Sequence, residues 1–491
     1  MKMTREQRYR FIEQAEEGEI EKLKALISAC SWRQSYHIQP VTGLLNDPNG
    51  FSYYQGHYHL FYQWFPLGTE HGMKYWYYVR SSDLVNWEQV GIGIRPGDPF
   101  DSHGAYSGSA IVKDDKLHLL YTGNTRDEAW IRHPYQCLAV MDESGSVVKA
   151  DQPVISSVPS GYTEHFRDPK VWQDGDTYYC VIGAQRTDMT GCAVLYRSSN
   201  LTAWEFLGEI QTHLSQFGYM WECPDYFEMN GRGVLLFSPQ GIEGEGDLYN
   251  NIFQSGYLIG EPLNLQTRAF DHDSFQELDR GFDFYAPQSM EAPDGRRILI
   301  GWMGLPDVEY PTDASGWAHC LTIPRQLSLK DSKLIQQPVD EMKKLRQQSE
   351  GHRYQTTLEN RSESVAAFNG TAYELECEIS HVDAERFGIE FRTGGEEKTV
   401  LQYDRLQQKL ILDRTLSGAP MGGMNGTVRQ CTLNGDRIKL QLFVDTSSVE
   451  IFVNDGEEVF TSRIFPSPES TGIRFFASGG KAEFKATKWD Y

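Results

Sequence analysis

The segment NGFSYYQGHYHLFYQ (49–63) places a tight polar turn between two runs rich in aromatic residues. This pattern is typical of a β-hairpin, because Gln-Gly suits the turn and aromatic residues favour strands. The pattern returns four more times, in GSAIVKDDKLHLLYT (108–122), KVWQDGDTYYCVIG (170–183), DYFEMNGRGVLLFS (225–238) and SMEAPDGRRILIGW (289–302). Five hairpins of one kind indicate an internal repeat.

The repeat has a nearly constant length. Successive turns are 59, 61, 56 and 64 residues apart, measured at Gly56, Asp115, Asp176, Arg232 and Arg296. A second pair of near-copies, SSDLVNW (81–87) and SSNLTAW (198–204), supports a shared unit. A period of this size is typical of a β-propeller, in which each blade packs on its neighbours. We therefore predict a five-bladed propeller over residues 32–335; the alternative is a β-sandwich of unrelated hairpins.

The regions outside the repeat predict three further segments. Residues 1–31 are charged, with apolar residues at loosely helical spacing, and predict a short helical extension. Residues 336–351 are polar and predict a linker. Residues 352–491 alternate apolar and polar positions with Gly, Asn and Asp turns, which predicts a β-sandwich. The predicted fold class is all-β.

Composition excludes several functional classes. The net charge of −22 argues against a nucleic-acid partner, which would require a basic surface. No stretch is apolar for long enough to span a membrane, and the N-terminus lacks an apolar signal segment, so we expect a cytoplasmic protein. The eight cysteines show no CxxC pair, unlike a disulfide framework or a zinc site. The aromatic content of 13% fits both strands and sugar binding.

Three carboxylates occupy matching positions ahead of the hairpin turns. Asp47 lies in NDPNG, Asp168 in FRDPK and Glu222 in WECPD, while Ser107 takes the equivalent position in the second unit. Prolines recur beside these positions, as expected at the start of a strand where no amide hydrogen is needed. Because the innermost strands of a propeller border its central channel, we expect the three carboxylates to converge there.

Converging carboxylates favour catalysis over a structural role. Alone, a DP or ECP sequence usually marks a turn, but three carboxylates in register across repeats point to function. Their repulsion in an aromatic pocket should leave at least one protonated at neutral pH. One ionised carboxylate and one protonated acid are what glycoside cleavage requires.

The sequence around these residues resembles glycoside hydrolase family 32, which contains invertases, fructanases and sucrose-6-phosphate hydrolases. The matching motifs are NDPNG (46–50), FYQ (61–63), YSGSA (106–110), FRDP (166–169), WECPD (221–225) and VEIFVNDGEEVFTSRIFP (449–466). The resemblance covers roughly residues 32–491. It implies a five-bladed propeller followed by a β-sandwich, and no metal or organic cofactor.

The resemblance also implies roles for individual residues. Asp47 would be the nucleophile and Glu222 the acid and then the base, whereas Asp168 would hold fructosyl hydroxyls and be kept ionised by Arg167. Retention of configuration would place the Asp47 and Glu222 carboxyls about 5–5.5 Å apart. The implied sugar pocket contains Leu44, Leu45, Asn46, Gln63, Tyr106, Ser107 and Arg167, with Trp302 as a stacking wall.

The substrate expectation depends on residues 63–78. They read QWFPLGTEHGMKYWYY, where many relatives carry WG and WGH motifs. Together with the missing secretion signal, this resembles the bacterial cytoplasmic branch of the family, which acts on sucrose 6-phosphate. A sugar phosphate requires cations, and the candidates on predicted loops are Lys74, Arg126, Arg132 and His133.

Other functions stay open at this level. Unphosphorylated sucrose or short fructans are alternative substrates, and a fructosyltransferase would use the same residues. An inverting propeller glycosidase that acts on pentosans would differ in carboxyl separation. A catalytically silent sugar-binding propeller is less favoured, because a pure binding protein has no need of a nucleophile and an acid together.

Overall fold

The computed structural model describes residues 2–421, 425–435 and 437–491. It consists of five β-sheets arranged as propeller blades, followed by a β-sandwich, and this confirms the predicted fold class. Two short helices precede the propeller, α1 (Arg5–Arg8) and α2 (Glu19–Ser28). Single 3-10 turns lie at Ile12–Gln14, Pro311–Ser315, Asp340–Leu345 and Asn454–Gly456. No helix in the described part of the chain is long and apolar enough to cross a membrane.

The blades follow one another along the chain. Blade 1 contains β1 (Gly43–Tyr54), β2 (His57–Phe65), β3 (Tyr75–Ser81) and β4 (Trp87–Ile94). Blade 2 contains β5 (Ala105–Lys113), β6 (Lys116–Arg126), β7 (Arg132–Met141) and β8 (Val147–Lys149). Blade 3 contains β9 (Tyr162–Asp174), β10 (Thr177–Arg186), β11 (Gly191–Ser198) and β12 (Glu205–Glu209).

The last two blades are less regular. Blade 4 contains β13 (Met220–Met229), β14 (Arg232–Gln240), β15 (Gly256–Gly260) and β16 (Gln276–Glu277). Blade 5 contains β17 (Tyr285–Glu291) and β18 (Arg297–Met303), then β21 (Arg325–Lys330) and β22 (Lys333–Pro338). Between β18 and β21 lie β19 (Trp317–Ala318), which pairs with β1, and β20 (Cys320–Leu321), which pairs with β18. The pairing of β19 with β1 links the last blade to the first.

Each predicted hairpin joins the first two strands of a blade, which confirms the repeat. In blade 1, for example, Tyr54 pairs with His57 across the predicted Gln-Gly turn. Aromatic and aliphatic side chains fill the space between neighbouring blades; Trp76 and Tyr78 of blade 1, for instance, belong to one buried cluster with Tyr121 of blade 2. The high aromatic content is therefore used mainly in packing blade against blade.

The sandwich is one hydrogen-bonded sheet folded around its own core. Its strands are β23 (His352–Asn369), β24 (Tyr373–Ser380), β25 (Arg386–Gly394), β26 (Glu397–Asp404), β27 (Lys409–Leu416), β28 (Val428–Thr432), β29 (Ile438–Asp445), β30 (Ser448–Val453), β31 (Glu458–Arg463) and β32 (Gly472–Asp490). The first half of β32 pairs with β25 and the second half with β24. Gly479 and Gly480, both at positive φ, lie between the halves, where a side chain would be strained.

The propeller and the sandwich share buried contacts. Phe443 and Phe452 of the sandwich belong to the same buried cluster as the cores of blades 1 and 5. Arg325 on β21 is fully buried and bonds to Glu450 on β30 at 2.6 Å. The predicted propeller boundary at residue 335 falls inside β22, and the 3-10 turn Asp340–Leu345 occupies the predicted linker.

Candidate active site

The innermost strand of every blade carries one residue more than its partner strand, which makes a β-bulge. In β9, Arg167 pairs with Gly183 and Lys170 with Val181, so that Asp168 is left inside the bulge. The same interruption occurs in β1, β5, β13 and β17. Asp168 has a φ of 67°, a costly conformation for a non-glycine residue that is common at functional sites.

The recurring prolines were predicted at strand starts, but in the structure they lie at these bulges, inside the strands. Pro48 is the sixth residue of β1, and Pro169 and Pro224 likewise fall inside β9 and β13. A bulge leaves an amide without a ladder partner, so proline is tolerated there in an otherwise central strand. The prolines therefore mark the points where the inner strands change register.

A polar residue at the end of each bulge, or one position beyond it, bonds to another blade. The Lys170 amine, for example, donates to Asp225 Oδ2 at 3.0 Å and to the Ser289 carbonyl at 2.5 Å. The Gln288 amide similarly bonds to the backbones of blades 1 and 2. The full set, one residue from each blade, is Asn49, Ser109, Lys170, Asp225 and Gln288. We call it the polar ring; it ties the five inner strands together next to the carboxylates.

Asp47 is enclosed by hydrogen-bond donors. The Asn46 amide donates to Oδ1 at 3.0 Å, while the Ser107 hydroxyl and the Gln63 amide donate to Oδ2 at 2.5 and 3.2 Å. Burial raises the pKa of Asp47, and the hydrogen bond from Ser107 opposes this shift. Three of the predicted pocket residues therefore orient this carboxyl.

Glu222 lies against a guanidinium. Arg167 Nε and Nη2 bond to Glu222 Oε1 at 2.8 and 2.7 Å, whereas Gln240 Nε2 and the Tyr285 hydroxyl each donate to Oε2 at 2.6 Å. Burial disfavours the charged form, but the charge of Arg167 and the bond from Tyr285 outweigh it, so the pKa of Glu222 is lowered. Glu222 is therefore ionised in this arrangement.

Asp168 is the carboxyl that holds a proton near neutral pH. Burial raises the pKa of Asp168 to about 7; the charge of Arg167 opposes this shift, and the nearby carboxylates Glu222 and Asp47 add to it. The backbone N–H of Cys223 donates to Asp168 Oδ2 at 2.9 Å. The charge of Arg167 acts on Asp168 in the expected direction, towards the ionised form, although its guanidinium bonds to Glu222. The contribution of the two neighbouring carboxylates to this raised pKa agrees with the expected repulsion.

Three residues of this network were missed in the sequence. Cys223 contacts both aspartates, since its Sγ lies 3.7 Å from Asp47 Oδ2; its position beside Glu222 in WECPD was the available signal. Tyr285 lies eleven residues before the fifth turn anchor, Arg296, and Glu222 lies ten before Arg232, so the repeat register pointed to within one position of Tyr285. Gln240 is the last residue of β14, and the sequence around it carries no recognisable pattern.

Other predicted pocket residues lie further from the carboxyls. Leu44 and Leu45 belong to the hydrophobic core of the propeller. Trp302 was expected to be a stacking wall for the sugar, but it is only 1% exposed. It packs edge-on against Tyr285, at 5.9 Å between ring centres, and so helps to fix the position of the Tyr285 ring. Tyr106 is half-buried at the rim, with its ring centre 5.7 Å from the guanidinium carbon of Arg132.

The four candidate cations have different environments. Lys74 was expected on a loop at the rim of the channel, but it is buried. Its amine donates to Asn46 Oδ1 at 2.6 Å, so it positions a residue of the pocket. His133 is half-exposed and pairs with Asp127. Arg126 and Arg132 interact electrostatically with each other, and within the described residues neither has a carboxylate partner within salt-bridge distance. Only these two remain as candidates for binding an anion.

Comparison with known proteins accounts for both parts of the chain. The family model described as the glycosyl hydrolases family 32 N-terminal domain matches residues 37–338, and the corresponding C-terminal model matches residues 341–490. The chain is 48% identical to a sucrose-6-phosphate hydrolase of Staphylococcus xylosus over 99% of this chain and 98% of that protein. It is 43% identical to the enzyme of the same name from Bacillus subtilis, covering 96% of each.

Solved structures agree with this assignment. A sucrose-6-phosphate hydrolase from Lactobacillus gasseri superimposes with a TM-score of 0.92 at 38% identity, covering 99% of each chain. A Bombyx mori β-fructofuranosidase solved in complex with sucrose superimposes with a TM-score of 0.83 at 35% identity, covering 96% of each chain. The chain therefore belongs to glycoside hydrolase family 32 and is a glycoside hydrolase.

Proposed function

We propose that this protein is a retaining β-fructofuranosidase that hydrolyses sucrose 6-phosphate to glucose 6-phosphate and fructose. The observation that carries the proposal is the pair of arginines without carboxylate partners, Arg126 and Arg132, of which Arg132 acts electrostatically on Glu222. The names of the relatives and the sucrose bound to the Bombyx mori enzyme support the same substrate class.

The proposed reaction is a double displacement. Asp47 attacks the anomeric carbon of the fructosyl unit while Glu222 protonates the leaving oxygen; Glu222 then removes a proton from the water that releases fructose. Glu222 is ionised next to Arg167, so the sugar must raise its pKa on binding by excluding water from the site. Asp168, with a pKa of about 7, donates or accepts hydrogen bonds with the fructosyl hydroxyls. We expect the Asp47 and Glu222 carboxyls about 5–5.5 Å apart.

The two arginines suit a phosphate on the leaving group. In a protein with a net charge of −22, two guanidiniums without a carboxylate partner repel each other and favour an anion. The charge of Arg132 also reaches Glu222, the group that protonates the leaving sugar. The arginines therefore lie on the side of the site where the glucose 6-phosphate moiety departs. A phosphorylated sugar of this kind is made during uptake, which implies a cytoplasmic enzyme.

The test compares kcat/KM for sucrose and sucrose 6-phosphate, with Asp47→Asn as the blank. We expect a preference of more than about tenfold for the phosphorylated sugar. Arg132→Gln should remove most of that preference while changing sucrose hydrolysis little. The matched control is Arg197→Gln, because Arg197 is exposed and pairs with Glu205 on the outer part of blade 3.

Each contrary result has a definite meaning. Equal rates on the two sugars would indicate an invertase without phosphate recognition. If neither sugar is hydrolysed, the proposed function is wrong, and the protein acts on fructans or only binds sugars. If Arg132→Gln lowers kcat/KM for both sugars by the same factor, Arg132 does not recognise the phosphate.

A further inference from the structure

The N-terminal segment, residues 2–15, is docked on the rim of the propeller close to the active site. The Ile12 N–H donates to the Tyr75 hydroxyl at 2.9 Å, and the Met73 N–H donates to the Arg8 carbonyl at 2.7 Å. A Cβ at Gly72 would lie 2.1 Å from the Arg8 oxygen, so only glycine permits this approach. The close fit indicates that the segment is a fixed part of the catalytic domain.

Tyr9 is the residue of this segment that reaches the candidate anion site. Its ring packs edge-on against Trp130 at 5.2 Å and is tilted against His103 at 5.6 Å between ring centres. Its hydroxyl interacts with Tyr106, and the charges of Arg126 and Arg132 act on it. Burial, together with Tyr106, raises the pKa of Tyr9 to about 12, so the phenol keeps its proton and can donate it in a hydrogen bond.

Two buried donors of the candidate anion site lack an acceptor. The Nε atoms of Arg126 and Arg132 are buried without a hydrogen-bond partner in the described chain. A buried donor left unpaired is costly, and a charged one more so. Because Tyr9 of the N-terminal segment interacts with both of these arginines, an acceptor bound here would contact the segment and blade 2.

We propose that Tyr9 is a specificity-determining residue, whose hydroxyl donates to the phosphate of the leaving sugar alongside Arg126 and Arg132. The N-terminal segment then forms one wall of the leaving-group subsite and is not merely a surface extension. This inference rests on the proposed function, since it requires a phosphorylated substrate. It makes the discrimination between sugars depend on a residue outside the propeller strands.

The test is Tyr9→Phe, which removes the hydroxyl but keeps the ring between Trp130 and His103. We expect kcat/KM for sucrose 6-phosphate to fall by about tenfold, since one hydrogen bond to a charged group is lost. The value for sucrose should stay within about twofold. Inhibition by glucose 6-phosphate should weaken by a similar factor, whereas inhibition by glucose should not change.

The matched control on the same segment is Arg10→Gln, because Arg10 pairs with Glu19 at 2.6 Å and not with the site. It should leave the ratio of the two kcat/KM values unchanged. A melting temperature for each variant separates loss of folding from loss of specificity. An unchanged ratio in Tyr9→Phe, with a wild-type preference present, overturns the inference alone. If the wild type shows no preference for sucrose 6-phosphate over sucrose, the proposed function is wrong, and the inference about Tyr9 is wrong with it.

Discussion

At the scale of single residues, the three carboxyls differ in what surrounds them. Asp47 accepts hydrogen bonds from neutral donors, and Glu222 is paired with a guanidinium. Asp168 accepts a hydrogen bond from one backbone N–H and lies near two other carboxylates, which repel its charged form. These surroundings separate the pKa values of chemically similar groups, as the proposed division into a nucleophile and an acid requires.

The pKa of Glu222 should depend measurably on Tyr285. The Tyr285 hydroxyl stabilises the ionised form, so Tyr285→Phe removes that stabilisation and raises the pKa of Glu222. Because Glu222 must be protonated to act as the acid, the basic limb of the kcat/KM profile should move to higher pH by about one unit. The measurement is the pH profile on one substrate.

Tyr54→Phe is the control for this prediction. This substitution also removes a tyrosine hydroxyl that donates a hydrogen bond. The acceptor of that bond is the Asp115 carbonyl in the turn of the second hairpin, and not Glu222. Its pH profile should match that of the wild type. A basic limb that stays in place, or moves to lower pH, in Tyr285→Phe would contradict the proposed role of Glu222.

At the scale of elements, the inner strands were only partly predictable. The turn spacing predicted five hairpins, because Gly, Asn and Asp turns are visible in sequence. The bulges were not predictable, since one extra residue in a strand leaves no period of its own. Lys74 was misjudged for a similar reason: a lone lysine in a loop is usually solvated, and its burial depends on contacts from distant strands.

The polar ring should contribute strongly to stability. In Lys170→Met, Asp225 loses the amine bonded to its Oδ2 and stays buried as an uncompensated charge. Breaking such a pair costs about 3–5 kcal/mol, so we expect the melting temperature to fall by about 5 °C or more. Lys116→Met, at an exposed position beside the second hairpin turn, is the control. A loss no larger than in the control would refute a structural role for the ring.

At the scale of the whole molecule, the sandwich braces the propeller. His37, just before blade 1, is buried between Asp445 and Glu450 of the sandwich, at 2.8 and 3.1 Å. Although burial opposes it, hydrogen bonds to these carboxylates raise the pKa of His37 to about 9, so the imidazolium is charged at neutral pH. The sequence predicted a separate sandwich correctly, but this charged junction joins residues about 400 positions apart and has no local pattern.

The anomer of the first fructose released tests retention of configuration on a β-fructofuranoside without any assumption about individual residues. NMR spectra recorded during the first turnovers, before mutarotation, should show β-fructofuranose, because two displacements at the anomeric carbon restore its configuration. Asp47→Asn should release none. Initial formation of α-fructofuranose would mean that water attacks directly, and the assignment of Asp47 as the nucleophile would be wrong.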